Sequence, residues 1–309
     1  WQQHRAALNR RCINYTNWGQ TMEQMKVLVV GLGLIGGSMC KAMRRFTNHL
    51  VYGYDTDRAV LEQAVRDGAI LEAVPKSGFH EFDLIMVCLH PRAAKAFFDA
   101  HIPDFRPGAI LTDVCGIKGA LVEHVTELAA EYGQRYVGMH PMAGKERFGY
   151  PFSDGSLFLG ANCIITPIPQ TSKAAVCILE QLVHDLGFAH IVETTPEGHD
   201  AMIAYTSQLA HVVSSAYVKS PTLEQENGYS GGSFQDMTRT ATLNEEMWAS
   251  LFLENRKPLL FELNTLIENL QAYRDAINGD DYTTLVELLR DGRIRKEQNL
   301  LSHAKDRRE

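Results

Sequence analysis

The sequence predicts an α/β protein in two parts, a doubly wound parallel sheet followed by an all-helical segment. Three observations carry that prediction. Short β-branched runs alternate with helical patterns as far as residue 193, the strand signals then stop, and from residue 194 apolar residues recur only at helical spacing. A chain of 309 residues is long enough for two domains of ordinary size. The boundary is placed at 193/194, with 25–193 as the sheet domain and 194–309 as the helical one. Residues 1–24 begin at Trp1 rather than Met, run polar and basic through Arg5, Arg10 and Arg11, and are set aside as an extension outside both domains.

The elements follow in order. Residues 27–30 form a first strand, 31–37 a glycine-rich loop, 38–46 a helix, and 50–54 a second strand that ends in Asp55. A helix at 58–67 leads to a short apolar segment at 70–74. Further strands are predicted at 83–89, 109–113, 136–140, 162–166 and 190–193, with helices at 93–100, 119–132 and 172–186. Strands alternating with helices of this length argue for parallel pairing. Thr194-Thr195-Pro196 then has the form of a helix start, a hydroxyl cap before a proline at the first helical position. Helices are expected at 203–218, 245–277 and 282–304, with Pro258 kinking or interrupting the second, and 221–239 reads as a connecting loop because of Asn227-Gly228 and Gly231-Gly232.

Charge and cysteine usage narrow the function. Thirty Lys plus Arg stand against 37 Asp plus Glu, a net charge of −7 that disfavours a protein built to neutralise nucleic-acid phosphates. No apolar stretch approaches the roughly 20 residues a membrane span needs. The six cysteines, Cys12, Cys40, Cys88, Cys115, Cys163 and Cys177, form no C-x-x-C pair and read as free thiols of a cytoplasmic protein. No His, Asp and Glu cluster has metal-ligand spacing, so no metal is expected. A small-molecule site is the default.

Gly31-Leu32-Gly33-Leu34-Ile35-Gly36 fits G-x-G-x-x-G between a strand and a helix, which is the context that gives this pattern meaning. Gly31 permits the tight turn, Gly33 lets the backbone approach a pyrophosphate, and Gly36 lets helix and strand pack closely. The anion rests on the unpaired amides that include those of Leu34 and Ile35. Asp55 is placed to accept hydrogen bonds from ribose hydroxyls and would repel a 2′-phosphate, so the expected cofactor is NAD rather than NADP. A Rossmann-type dinucleotide-binding domain is thus predicted. Oxidation of a carbinol also needs a group that takes the hydroxyl proton, and among the 12 histidines His140 stands out because it ends a predicted strand, where open α/β sheets hold their ligands.

At this point the chain resembles a known family. GLGLIGGS at 31–38, HPMAGKE at 140–146, TSQLAH at 206–211, GGSFQDMTR at 231–239 and MWASLFLEN at 247–255 are similar to the successive motifs of prephenate dehydrogenases and the related arogenate-using enzymes, over about residues 25–300. The resemblance implies NAD-dependent oxidative decarboxylation of prephenate to 4-hydroxyphenylpyruvate in tyrosine biosynthesis, with His140 as the catalytic histidine. It implies that Arg239 receives a substrate carboxylate, which a guanidinium fork suits, that Asp236 and Glu146 join an ionic network at the site entrance, and that His211 and Trp248 lie near the substrate. Two departures stand out. Gly116 occupies a position where many members have a serine that helps orient histidine and substrate, and Gln208 and Ala210 replace a histidine and a proline of the family's TSHLPH.

Rival readings are weaker. The β-hydroxyacid dehydrogenases share the expected architecture but use a lysine on a helix of the second domain. Here Lys219 is the only lysine of the first C-terminal helix region and sits at that helix's end beside Pro221. A regulator that binds NAD without chemistry would need neither His140 nor Arg239. The apolar residues Leu251, Phe252, Leu259, Leu260, Phe261, Leu263, Leu266, Ile267 and Leu270 fall on several sides of their helices, which predicts a homodimer built through the C-terminal part. The chain ends soon after its last predicted helix, so inhibition by tyrosine is expected at the active site. The net charge must be unevenly spread, with Arg239, Lys145, Arg147 and the glycine-loop amides making a locally positive cleft for dianionic prephenate.

Overall fold

A computed structural model describes residues 23–145 and 147–306. Most of the N-terminal extension and Glu146 lie outside the described residues. The chain divides into two compact units, one ending at Asn255 and the other beginning at Arg256.

The first unit is built on seven strands: β1 (Lys26–Val30), β2 (Leu50–Tyr54), β3 (Leu84–Val87), β4 (Ile110–Asp113), β5 (Arg135–Met142), β6 (Asn162–Thr166) and β7 (His190–Glu193), in the order β2-β1-β3-β4-β5-β6-β7. Five helices connect them: α1 (Leu34–Phe46), α2 (Arg58–Arg66), α3 (Pro91–His101), α4 (Gly119–Glu131) and α5 (Lys173–Asp185). Alternation along the strands builds two cores. Val27 and Val29 face one cluster with Met39, Met43, Leu84 and Met86, while Leu28 and Val30 face another with Phe98, Ile85, Val87 and Leu111. Both faces of the central strands are therefore apolar, as a sheet covered by crossover helices requires.

The expectation of a wholly parallel sheet is corrected at one place, since β6 runs antiparallel to β5. A parallel return needs a crossover of a dozen or more residues, usually a helix. Between Met142 and Asn162 the described chain has no α-helix, only a 3-10 turn at Tyr150–Phe152 and further turns at 155–160, so it folds straight back. The absence of any helical pattern between those two strands was the available signal. The apolar segment at 70–74 makes one isolated bridge, Gly53 to Ala73.

Thr195 caps α6 (Pro196–Ile203), its hydroxyl accepting from the Gly198 N–H at 3.0 Å, with the proline at the first turn as expected. The helix then passes through a π turn, Ala204–Gln208, before continuing as α7 (Leu209–Tyr217). The predicted loop at 221–239 needs correction, because it holds a 3-10 turn at Pro221–Gln225 and a short helix, α8 (Gly232–Thr238). The glycines end local structure without preventing it, and only Gly228 uses a positive φ, of 87°. The unit closes with α9 (Glu245–Glu254), capped by the Asn244 side chain.

The expected helix at 245–277 is two helices, because the chain breaks at Asn255 and restarts as α10 (Arg256–Asn278). Pro258 therefore sits in a first turn, where its missing N–H has no intrahelical acceptor to lose. In the second unit α10 and α11 (Tyr282–Asp306) pack together across a turn in which Asp280 adopts φ 50°. Cys40, Cys88, Cys115 and Cys163 are free thiols, as the sequence predicts, and Cys12 lies outside the described residues.

Candidate active site

The order β2-β1-β3 puts the topological switch of the sheet at β1, and the glycine loop leaves β1 there. Gly31 has φ 85°, and a Cβ on it would stand 2.8 Å from the Cys88 carbonyl oxygen. At Gly36 a Cβ would overlap the Gly31 carbonyl oxygen. Gly33 is different, with nothing within 4 Å of a Cβ position. Its openness cannot serve packing of the protein itself and fits the close approach of a pyrophosphate. Gly33 also caps α1 without a side-chain bond, so the amides following it, including those of Leu34 and Ile35, have no competing side-chain cap. Asp55 accepts from the Leu32 N–H at 2.7 Å through one oxygen and from the Asp57 N–H at 2.9 Å through the other. Those bonds hold the carboxylate at the end of β2 beside the loop, with lone pairs to spare for a ribose.

A cavity of about 530 Å³ opens beside this loop, lined by Ile35, Cys88, His90, Gly116, Met247 and Leu251 among others. It joins the nucleotide loop to the turn after β4 and to α9. Arg92 and Glu254 pair at 2.9 Å between α3 and α9 near the same cleft.

His140 lies in β5, half-buried, opposite Ile164 of β6. Its Nδ1 is 2.8 Å from Nε2 of His199, and His199 Nδ1 is 2.7 Å from Oδ1 of Asp200. Its other edge faces Gly116, where a Cβ would come within 3.8 Å of Nε2 and Cε1. Beneath it Lys118 is fully buried, donating to Asp113 and to the carbonyl of Met139, while the Tyr136 hydroxyl also donates to Asp113. Burial, then the Lys118 ammonium, then His199 hold the His140 pKa well below the ordinary histidine value. A base works in its neutral form, so lowering that value extends activity toward acid. The acid limb of kcat/KM is therefore expected below about pH 6.5, the unperturbed histidine value, and a limb at or above it in a pH–rate profile would contradict the arrangement.

Where the resemblance implies a serine, the Gly116 position has room for one. Gly116→Ser is expected to fold normally and to keep or raise kcat by placing a hydroxyl beside His140 Nε2; steady-state kinetics check it, and outright loss of activity would show that the turn is built otherwise.

A second group forms around His211. Its ring stacks on Trp248 with centroids 3.7 Å apart and planes at 25°, and its Nδ1 donates to the Ser207 carbonyl at 2.9 Å. Burial lowers its pKa, the Ser207 bond opposes that, and the Arg239 guanidinium adds to the lowering. Arg239 and Asp236 are both exposed, one just after α8 and the other within it. Lys145 approaches Asp154 at 3.4 Å and Arg147 lies over the Phe152 ring at 5.1 Å. Gln208 takes no part in an exposed site. It is buried and joins the π turn to α9, accepting from Asn255 at 2.8 Å and donating to the Leu251 carbonyl at 3.1 Å. Sequence reasoning missed His199 and Asp200 altogether, although the His-Asp pair in a freshly capped helix was visible. Among the described residues no His, Cys, Asp or Glu group could hold a metal ion, and no helix is long and apolar enough to cross a membrane.

Comparison with known proteins gives the family. Residues 39–193 match the family described as prephenate dehydrogenase, nucleotide-binding domain, and residues 195–291 the prephenate dehydrogenase dimerization domain. The chain is 30% identical over 279 residues to a prephenate dehydrogenase of Bacillus subtilis, covering 85% of this chain and 74% of that one. A crystal structure of prephenate dehydrogenase from A. aeolicus in complex with hydroxyphenyl propionate and NAD+ superposes with a TM-score of 0.81 at 28% identity, covering 90% of this chain and 99% of the other. A Synechocystis arogenate dehydrogenase superposes with a TM-score of 0.76 at 27% identity, covering 89% and 100%. With an open glycine cradle on a seven-stranded sheet and both family domains in sequence, the chain belongs to the prephenate dehydrogenase family and is an NAD-dependent oxidoreductase.

Proposed function

We propose that the chain oxidatively decarboxylates prephenate to 4-hydroxyphenylpyruvate with NAD, residues 25–193 holding the cofactor and 194–309 completing the substrate site and the dimer. One observation carries the reading: the cavity that begins at Ile35 of the nucleotide loop reaches Gly116, the residue that faces His140 Nε2. A hydride acceptor and a proton acceptor can therefore serve one substrate. Bound NAD supplies the hydride-accepting nicotinamide. His140 Nε2 takes the ring-hydroxyl proton as hydride leaves the same carbon. Loss of CO2 leaves its bonding pair in the ring, and the oxygen regains the proton as the ring becomes a phenol. Arg239 receives a substrate carboxylate, Asp236 flanks the entrance, and His211 on Trp248 borders the ring. Asp55 selects NAD by its charge.

Steady-state NADH formation with prephenate and arogenate, each with NAD and NADP, tests this. Turnover of prephenate with NAD is expected. Absence of NADH from either substrate would leave a cofactor-binding protein without this chemistry, and preference for arogenate would move the assignment to the amino-bearing substrate. Tyrosine, an analogue of the product, is expected to compete at the same site, so raising prephenate should relieve it.

The helical part is proposed as a homodimer interface. Leu253 is 66% exposed, Phe261 69%, Ile277 65% and Leu301 64%, which is more apolar surface than isolated helices leave in water. Sedimentation at micromolar concentration should show twice the chain mass; a monomer would overturn the proposal.

A further inference from the structure

We propose that His199 and Asp200 are positioning residues that lock His140 in the tautomer with its proton on Nδ1, so that the Nε2 lone pair faces the substrate. The inference rests on the proposed dehydrogenase reading for its purpose, but its geometry stands independently.

The argument starts at Asp200. One of its oxygens accepts the backbone N–H of Lys118 at 2.9 Å and the other accepts that of Gly119 at 2.8 Å. Both donors open α4, so the carboxylate is gripped at two points and cannot turn. An ionised carboxylate only accepts, and therefore the His199 nitrogen 2.7 Å from Oδ1 must carry a proton. In neutral His199 that leaves Nε2 bare. Nε2 then accepts at 2.8 Å from His140, which places the His140 proton on Nδ1 and leaves its own Nε2 bare. Each ring thus dictates the tautomer of the next, and an isolated neutral imidazole favours the opposite form.

Burial makes the chain of bonds decisive. His199 is 1% exposed and Asp200 7%, so water does not compete for their polar atoms. Asp200 is further tied down because Asn255 donates to its backbone carbonyl at 2.8 Å. Other groups near His140 work differently. Lys118, paired with Asp113, opposes positive charge on His140, and the Cys163 and Cys115 thiols are held neutral by burial. When His140 takes the hydroxyl proton on Nε2, its Nδ1–H still points at His199, and the Asp200 carboxylate beyond balances the new charge. No net proton is released, because the phenol oxygen recovers it. This support also explains how Gly116 can stand where a serine would otherwise help orient the histidine: the ring is held from its far edge.

Nitrogen NMR of histidine-labelled protein, assigned by difference with His140→Asn, reads the tautomers directly and without turnover. Protonated Nδ1 and bare Nε2 on both His140 and His199 at neutral pH are expected. His199→Phe should lower kcat about 100-fold with little change in substrate KM, and His199→Gln, whose amide oxygen can accept from Nδ1–H, should restore most of it. A His140 proton on Nε2 in the unaltered protein, or a His199→Phe enzyme with full kcat, would overturn the proposal. If His199→Phe melts early, the tautomer measurement on the unaltered protein still decides. If that protein makes no NADH from either substrate, the functional reading fails while the tautomer result stands alone.

Discussion

His140→Asn is expected to lower kcat by about 10²- to 10⁴-fold while leaving the KM values for NAD and prephenate within a few-fold, the loss typical of removing a positioned general base. Asparagine keeps a polar group in β5 but offers no basic nitrogen at the Nε2 position. Because the His140 ring is bonded at its edge to His199, and β5 is held by backbone bonds to β4 and β6, the fold should survive. Steady-state kinetics with a thermal melt separate the two effects. Near-normal turnover in the variant would remove His140 from the chemistry, whatever else binds there.

Two neighbouring glycines should fail in opposite ways. Gly36→Ala drives a Cβ into the Gly31 carbonyl oxygen, which is backbone and cannot swing aside. The helix must shift off the strand, at about 3 kcal/mol and a Tm lower by roughly 5–10 °C, with NAD binding lost as the loop deforms. Gly33→Ala meets nothing within 4 Å, so its Tm should equal that of the unaltered protein. Its methyl would occupy the space that a pyrophosphate needs, raising the Kd for NAD by about tenfold or more. Thermal melts beside NAD titration test both. A Gly33→Ala protein that binds NAD normally would mean that the open side of the loop is not the cofactor cradle.

The interior of the sheet was readable because its rules are local. Val27 to Val30 alternate between two cores, and Thr195 with Pro196 starts α6 where a hydroxyl and a ring without an N–H should start it. The short helix at Gly232–Thr238 was not readable, since its glycines signal a break and only its surroundings supply a helix. The direction of β6 was inferable in principle from the missing crossover. Gln208 shows the limit of motif comparison: in the sequence it is only a departure from TSHLPH, whereas in the structure its side chain is spent on Asn255 and Leu251.

What the sequence by itself determined is everything set within a few residues: the glycine loop after β1, the acid after β2, the histidine near the end of β5, and through its motifs the family. These depend on short-range sterics and periodicity, which a linear string records. Only the tertiary structure decided which groups meet. His140 and His199 lie 59 residues apart, and Lys118 reaches Asp200 across 82. Those pairings arise because the start of α4 and the capped α6 converge behind β5, and hydrogen bonds between buried groups depend on position in space to a fraction of an ångström, which no spacing along the chain encodes.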